Sequence, residues 1–316
     1  MEAGRGSVPG CRDGIPFPPI PCLPLQIEVF RNVGGVLLPY IRISRNAQEC
    51  NSMADTNPGT SRNAAPENDD EFRKRYGEQV GSGMSAVVYA RDGIVAKVYR
   101  SGQPSRQVFQ EAFTLAAVAE HGIPAPKVYG VETFHGRTAL LMDQVKGESI
   151  MDIMRRSPEK TSECLDKVVE LQVAMHKVNS TQFRPIKLVL TGNIVMAPGL
   201  DDAERKRLFS LLSTLPDGLA VLHGDFHGGN ILFDGTSYRI IDWAEVALGD
   251  PAADIARSYL DYLFMDRKDL GEMHLAKYCA ATGVSKEEVL LWVPVIAGSL
   301  CGFLSGDANR IVRTLF

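Results

Sequence analysis

The sequence predicts an α+β chain in which a small antiparallel β-rich lobe with one helix precedes a larger, mainly α-helical lobe. Three observations predict it. Short runs of β-branched and aromatic residues, punctuated by glycine, fill residues 76–145. Longer amphipathic patterns dominate residues 149–316. Within the second region, Val221-Leu222-His223-Gly224-Asp225-Phe226-His227-Gly228-Gly229-Asn230-Ile231-Leu232-Phe233 sets a polar loop between two strand-like apolar runs.

At 316 residues, 45% hydrophobic and 23% charged, the chain has the length and composition of a globular protein with a sizeable core. A net charge of −4 offers no basic footprint for nucleic acid. Cys11, Cys22, Cys50, Cys164, Cys279 and Cys301 lie far apart without CxxC spacing, which predicts a reducing, cytoplasmic setting. The start lacks a basic segment followed by an apolar core and cleavage site, so no secretory signal is expected. Residues 289–304 are nearly all apolar, but Pro294 and Gly298 interrupt them and a membrane span needs about 20 residues. We expect a buried helix there and no membrane partner.

Residues 1–70 form an extension of different character. Nine of the 18 prolines fall in it, and Pro16-Phe17-Pro18-Pro19-Ile20-Pro21 is barred from helix or central sheet. The polar residues 41–66 have the composition of a disordered lead-in. Two readings stand, a regulatory or docking tail and, favoured here, an over-long start with the natural chain beginning at Met53. The β-rich lobe is expected over residues 71–145 and the helical lobe over 146–316.

In the first lobe, Gly81, Ser82 and Gly83 lie between strands expected at 75–80 and 87–90, a glycine-rich hairpin whose backbone N–H groups suit phosphate oxygens. The strand at 94–99 is apolar except for Lys97, and a lysine inside a buried strand requires a charged partner. The helix expected at 106–121 offers Glu111. Strands at 127–134 and 137–144 follow, turning at His135-Gly136.

In the second lobe, helices are expected at 149–156 and 162–179, then an irregular stretch at 181–200 placed over the substrate site. A further helix at 201–214 has Asp201 as its N-cap. Strands at 231–233 and 238–241, turning at Asp234-Gly235, make a hairpin that brings Asn230 beside Asp242. Pro251 suits a first helical position and Asp250 its cap. Helices at 270–282, 285–304 and 307–316 complete the chain.

The loop holds Asp225, then Asn230, then Asp242 beyond the hairpin. Phosphoryl transfer from a nucleotide uses one carboxylate to orient the acceptor hydroxyl. An amide oxygen and a second carboxylate hold magnesium.

His223-Gly224-Asp225-x-x-x-x-Asn230 followed by Ile241-Asp242-Trp243 resembles the catalytic centre of the aminoglycoside phosphotransferase and choline kinase-like family, and the likeness runs over residues 75–316. The resemblance implies a protein-kinase-like two-lobe fold. It implies a catalytic Asp225, a Lys97–Glu111 pair on the nucleotide phosphates, and Mg²⁺ on Asn230 and Asp242. Nucleotide binding is implied at Gly81, Ser82, Gly83, Lys97, Met142, Asp143 and Val145, the last three forming a hinge beside the adenine. His176 is expected to pack beneath the loop, His223 to shape it, and Asp254 to tie the next helix to it. Gly228 stands where many relatives carry proline.

After Asp242 comes Trp243-Ala244, and no Ala-Pro-Glu motif follows, so a peptide-binding activation segment is not expected. The expected activity is phosphorylation of a small-molecule hydroxyl with ATP and Mg²⁺, the choice of ATP over GTP being open. The acceptor classes are aminoglycosides, macrolides, choline or ethanolamine, homoserine-like metabolites and sugar derivatives. Glu245, Asp261 and Asp266 would suit a cationic one unless they are solvated surface acids. A pseudokinase scaffold and an atypical protein kinase are the alternatives.

Overall fold

In a computed structural model, residues 25–26, 44–45, 69–83 and 85–316 are described. The proline-rich segment, the proposed start at Met53 and Met84 of the glycine-rich hairpin lie outside them. Helix α1 (Asp69–Tyr76) enters a five-stranded antiparallel sheet. Its strands are β1 (Glu78–Ser82), β2 (Ala86–Arg91), β3 (Ile94–Tyr99), β4 (Val128–Phe134) and β5 (Arg137–Asp143). The spatial order is β1-β2-β3-β5-β4, and α2 (Ser105–Glu120) joins β3 to β4. The rest is mainly helical, as expected.

Residues 75–76 were expected to begin a strand but end a helix. The sequence Asp69-Asp70-Glu71 places acids at the positive helix N-terminus, and Arg73, Lys74 and Arg75 place bases at the other end. Phe72 and Tyr76, four apart and buried on one face, pack with Tyr89 and Phe134. Gly77 ends the helix at φ +93°, with its N–H donating to the Arg73 carbonyl at 2.9 Å. A Cβ there would stand 2.1 Å from the Ala90 carbonyl oxygen. Gly77→Ala is therefore expected to cost roughly 2–3 kcal/mol in urea unfolding, combining left-handed strain with displacement of β2.

In the helical lobe, β6 (Glu148–Ser149) leads into α3 (Ile150–Arg156) and α4 (Thr161–His176). Residues 181–200, expected to be irregular, contain α5 (Ile186–Met196). Its apolar residues follow no single-face pattern, so the periodicity was silent. Leu190 and Ile194 are buried in the main helical core, while Leu188, Val195 and Met196 are exposed. The helix α6 (Asp202–Thr214) starts with the expected Asp201 cap, in a reciprocal box with Glu204.

The expected long helix at 285–304 is two helices, α9 (Lys286–Leu290) and α10 (Val293–Leu300), after α7 (Pro251–Phe264) and α8 (Lys268–Thr282). Pro294 has no N–H to extend a preceding helix and instead starts a new one. Most of α10 is buried beside α6 and α7, whereas α9 buries Val289 and exposes Lys286, Glu287 and Glu288, so apolarity reported burial and not continuity. The chain ends with α11 (Gly306–Arg313). No helix among the described residues is long and apolar enough to cross a membrane, and Cys164, Cys279 and Cys301 are free thiols.

A second core cluster joins the lobes. Val108, Leu115, Val118 and Leu140 of the sheet side are continuous with Ile150, Leu165, Phe226 and Trp243 of the helical side. The loop carrying Asp225 therefore rests on packing shared by both halves.

Candidate active site

Two short sheets frame the loop. Strand β7 (Ala220–Leu222) pairs with β10 (Ala247–Gly249), and β8 (Ile231–Phe233) lies between β9 (Tyr238–Ile240) and β6. The β8–β9 turn centres on Gly235-Thr236, one residue beyond the expected Asp234-Gly235. The ladder ends at the Phe233–Tyr238 pair, and the Asp234 carboxylate accepts from the Thr236 and Ser237 N–H groups, each at 2.8 Å. The hairpin does place Asp242 beside Asn230: the Ile241 N–H donates to the Asn230 carbonyl at 2.9 Å.

Gly224 turns the chain at φ +82°, with its Cβ position 2.4 Å from the Glu245 carbonyl oxygen. The turn is held from behind by Asp254, whose Oδ1 accepts the Gly224 N–H at 2.7 Å. Its Oδ2 accepts from His176 Nε2 and Gln172 Nε2, both at 3.0 Å. Tyr278 donates to His176 Nδ1 at 2.8 Å, and His274 Nε2 donates to Gln172 Oε1 at 2.8 Å. His176 thus lies beneath the loop and Asp254 ties α7 to it. Burial opposes ionisation of Asp254, but His176, Gln172 and the Gly224 N–H outweigh it and hold the carboxyl below its usual range. Asp254→Asn would turn a donor toward one of these donors. We expect a loss of about 3 kcal/mol in chemical denaturation, with reduced turnover as Gly224 shifts.

Asp225 is buried, and Asn230 Nδ2 donates to its carbonyl at 2.9 Å and to its Oδ2 at 3.0 Å. Arg257 Nη2 donates to Oδ1 at 3.2 Å. Burial raises the Asp225 carboxyl, yet His227, Arg257, His223 and the Asn230 amide together hold it below its ordinary value. His223 and His227 are themselves pushed down by burial, which keeps them neutral near pH 7, so Arg257 is the charge that acts. His223 Nε2 donates to the Ile241 carbonyl at 3.0 Å, and His227 Nδ1 accepts the Gly229 N–H at 3.0 Å. Both histidines shape backbone.

The Asn230 nitrogen is committed to Asp225, and no partner for its oxygen is found among the described residues. Nor is one found for the Asp242 carboxylate, which sits at φ +63°, a strained setting for a residue other than glycine. No group of three or more His, Cys, Asp or Glu placed to hold a metal ion is present among the described residues. One carboxylate and one amide oxygen are nevertheless a donor set that fits Mg²⁺, which takes its remaining oxygens from water and phosphate.

On the sheet side, Lys97 Nζ lies 2.7 and 3.0 Å from the two Glu111 oxygens, the expected pair. Tyr99, on the same face of β3, also donates to Glu111. Burial works to lower the Lys97 ammonium, but Glu111, Tyr99 and Asp242 keep it firmly protonated. Lys97 and Asp242 thus act on each other across the gap between the lobes.

In the glycine-rich turn, the Gly83 N–H closes onto the Ala86 carbonyl at 2.8 Å, and Ser82 and Gly83 are exposed. Arg100 Nη2 reaches the Ser82 hydroxyl and the Gly83 carbonyl, each at 3.1 Å. Neither Gly81 nor Gly83 has a positive φ or a crowded Cβ position, so the fold alone does not require glycine there.

In the hinge stretch, the Asp143 N–H donates to the Lys127 carbonyl at 2.9 Å, and its carboxylate takes the Lys127 N–H at 3.0 Å and the Tyr129 hydroxyl at 2.6 Å. The Val145 N–H has no partner among the described residues. Met142 is half-buried on β5, opposite Val95.

Sequence reasoning missed Arg257, Tyr99 and Arg100. Arg257 and Asp261 sit three and seven residues after Asp254 on one helix, a spacing that puts them on one face. Of the three acids considered for a cationic acceptor, Asp261 is buried against Arg257, whereas Glu245 and Asp266 are exposed.

Residues 77–289 match the family described as "Phosphotransferase enzyme family". The chain belongs to this family. The match agrees with the resemblance carried by the His-Gly-Asp and Ile-Asp-Trp motifs. No match was found among curated protein sequences. Among solved structures, the phosphotransferase is similar to a thermostable mutant of aminoglycoside phosphotransferase APH(4)-Ia in ternary complex with AMP-PNP and hygromycin B. That likeness has 15% identity and a TM-score of 0.55, covering 78% of this chain and 95% of the other. It is also similar to choline kinase LicA from Streptococcus pneumoniae, with 16% identity, a TM-score of 0.57, and 78% and 95% of the two chains covered. A choline/ethanolamine kinase family protein from Mesorhizobium loti gives 16%, 0.55, 78% and 94%. At these identities the likeness is one of fold.

Proposed function

We propose that this phosphotransferase is a cytoplasmic, Mg²⁺- and ATP-dependent kinase that phosphorylates a hydroxyl of a small molecule. The observation that carries the proposal is the facing pair of half-sites. Lys97 and Glu111 stand on the sheet lobe, and Asp225, the unpaired Asn230 oxygen and Asp242 stand on the helical lobe.

In this reading residues 71–145 bind the nucleotide and residues 146–316 supply catalysis and acceptor binding. The adenine edge lies along Met142, Asp143 and Val145, where the Val145 N–H is available. Gly81, Ser82 and Gly83 cover the phosphates with no side chain in the way at either glycine. Lys97, fixed by Glu111, takes the α- and β-phosphates. Asn230 and Asp242 hold Mg²⁺, which supplies neutralisation of phosphate charge. Asp225 orients the acceptor hydroxyl. The hydroxyl oxygen bonds to the γ-phosphorus as the bond to the ADP oxygen breaks, and the hydroxyl proton passes to Asp225.

A small acceptor is favoured by the stretch after Asp242. It returns at once to pair as β10 with β7 and enters α7 at Pro251, leaving no room for a peptide-binding segment. Asp261 is occupied by Arg257, and Asp266 lies beyond the end of α7, two residues past Phe264. Glu245 remains, with Arg257 and Arg184 near enough to oppose its charge. A neutral or singly charged acceptor suits this balance better than a polycation.

The test is transfer of label from γ-labelled ATP, with Mg²⁺, by the full chain into pooled antibiotics, pooled metabolites and lysate proteins, repeated with GTP. Label in a small-molecule pool is the expected result. Label in proteins alone would move the assignment to a protein kinase. Nucleotide binding without transfer to any pool would favour a scaffold.

A further inference from the structure

The buried residues of α7 include the small and apolar Ala252, Ala253, Ile255, Ala256 and Leu260, and among them the polar Asp254, Arg257, Ser258 and Asp261. Burying a guanidinium is costly unless its charge is met. Arg257 is 8% exposed and spans two carboxylates. Nη2 reaches Asp225 Oδ1 at 3.2 Å, and Nη1 lies 3.0 Å from Asp261 Oδ1, one helical turn further along. Neither Asp261 oxygen nor Nη1 makes an aligned hydrogen bond, so the two groups meet at ion-pair distance only. Asp225 Oδ2 is held separately by Asn230. The carboxylate is therefore gripped at both oxygens by groups from two different elements.

We propose that Arg257, braced by Asp261, is a positioning residue for phosphoryl transfer: it fixes the plane of the Asp225 carboxylate in the orientation that aligns the acceptor hydroxyl. The role rests on the kinase reading above. Asn230 alone pins one oxygen and leaves the carboxylate free to swing about that bond. Arg257 removes this freedom from a helix that Asp254 already locks to the loop at Gly224. Alignment matters here because a phosphoryl transition state asks for placement of the nucleophile more than for a strong base. An arginine that merely filled α7 packing would have no need to touch Asp225.

The experiment uses the full chain with Arg257→Lys, Arg257→Met and the double variant Arg257→Met with Asp261→Asn. The double variant also removes the Asp261 carboxyl, which would otherwise be left buried without its partner and threaten folding. Crystal structures report the Asp225 orientation. Steady-state kinetics on the acceptor found by label transfer report kcat and KM. We expect the double variant to melt as a folded protein, with Asp225 turned from its wild-type orientation. Its kcat should fall roughly 30–100-fold and its ATP KM should stay within about 2-fold. Arg257→Lys should recover about 10-fold of kcat by restoring the charge without the fork. An unmoved Asp225 with kcat within about 2-fold of wild type would overturn the role. If wild type itself transfers no label, the kinase reading is what fails. The crystal comparison then bears on the grip alone: an unmoved Asp225 overturns it, and a turned one upholds Arg257 as the residue that fixes the Asp225 carboxylate.

Discussion

Asp225→Asn is expected to lower phosphate transfer by roughly 10³-fold while leaving Mg·ATP affinity within about 2-fold of wild type. Asp225 makes no contact with the Lys97–Glu111 pair proposed to meet the nucleotide; its partners are Asn230 and Arg257. The substitution removes the only anionic oxygens in this grip, and an amide in their place presents N–H groups to either Asn230 Nδ2 or Arg257 Nη2. The acceptor hydroxyl then has no group to receive its proton and no fixed orientation. Label transfer and equilibrium nucleotide titration measure the two quantities separately. Transfer near the wild-type rate would remove Asp225 from the mechanism. A parallel loss of nucleotide affinity would mean that the loop had moved, and thermal melting of the variant distinguishes that case.

Where the candidate site is local in the chain, the sequence carried its geometry. Asp225 and Asn230 share one loop, and the hairpin that follows returns the chain to Asp242, so strand alternation and turn residues were enough to place all three together. Lys97 and Glu111 were legible for another reason: a lysine in the middle of an apolar strand needs an acid, and the next helix supplies one. Helix α5 was not legible because it is apolar on several sides and has no single periodic face. The break between α9 and α10 was hidden because the apolar run from Val289 crosses it unchanged, and Pro294 was read as an interruption of one helix instead of the start of another. Arg257 was missed for a longer-range reason. Its partner lies 32 residues earlier in the chain, and only the docking of α7 under the loop brings the two together. Helix α1 was overlooked although its signal was present, in acids at one end, bases at the other and Phe72 four residues before Tyr76.

Asp242→Asn is expected to abolish the Mg²⁺-dependent part of nucleotide binding and to flatten the pH dependence of stability. Asn tolerates the left-handed backbone at this position, φ +63°, so the substitution removes charge without new strain. The Asp242 carboxyl is pushed up to about 7, first by burial, with Lys97 opposing and Asp225, Glu111 and Glu245 adding to the rise. A carboxyl raised from 3.8 is protonated in the folded protein over a range where the unfolded chain has already released that proton. The stability tied to this group is complete below about pH 4 and is lost as pH rises through about 7, by at most roughly 4 kcal/mol. Nucleotide-free wild type should therefore melt at lower temperature at about pH 8 than at about pH 5.5, and this contribution to the difference should vanish in Asp242→Asn. With Mg·ATP the trend reverses, because ionised Asp242 is the form that coordinates. Stabilisation by Mg·ATP should grow toward pH 8 in wild type and shrink to that of ATP with chelator in the variant. Thermal melting across this pH range, with and without Mg²⁺, measures both effects. Equal stabilisation of wild type and variant by Mg·ATP at pH 8 would place the metal elsewhere.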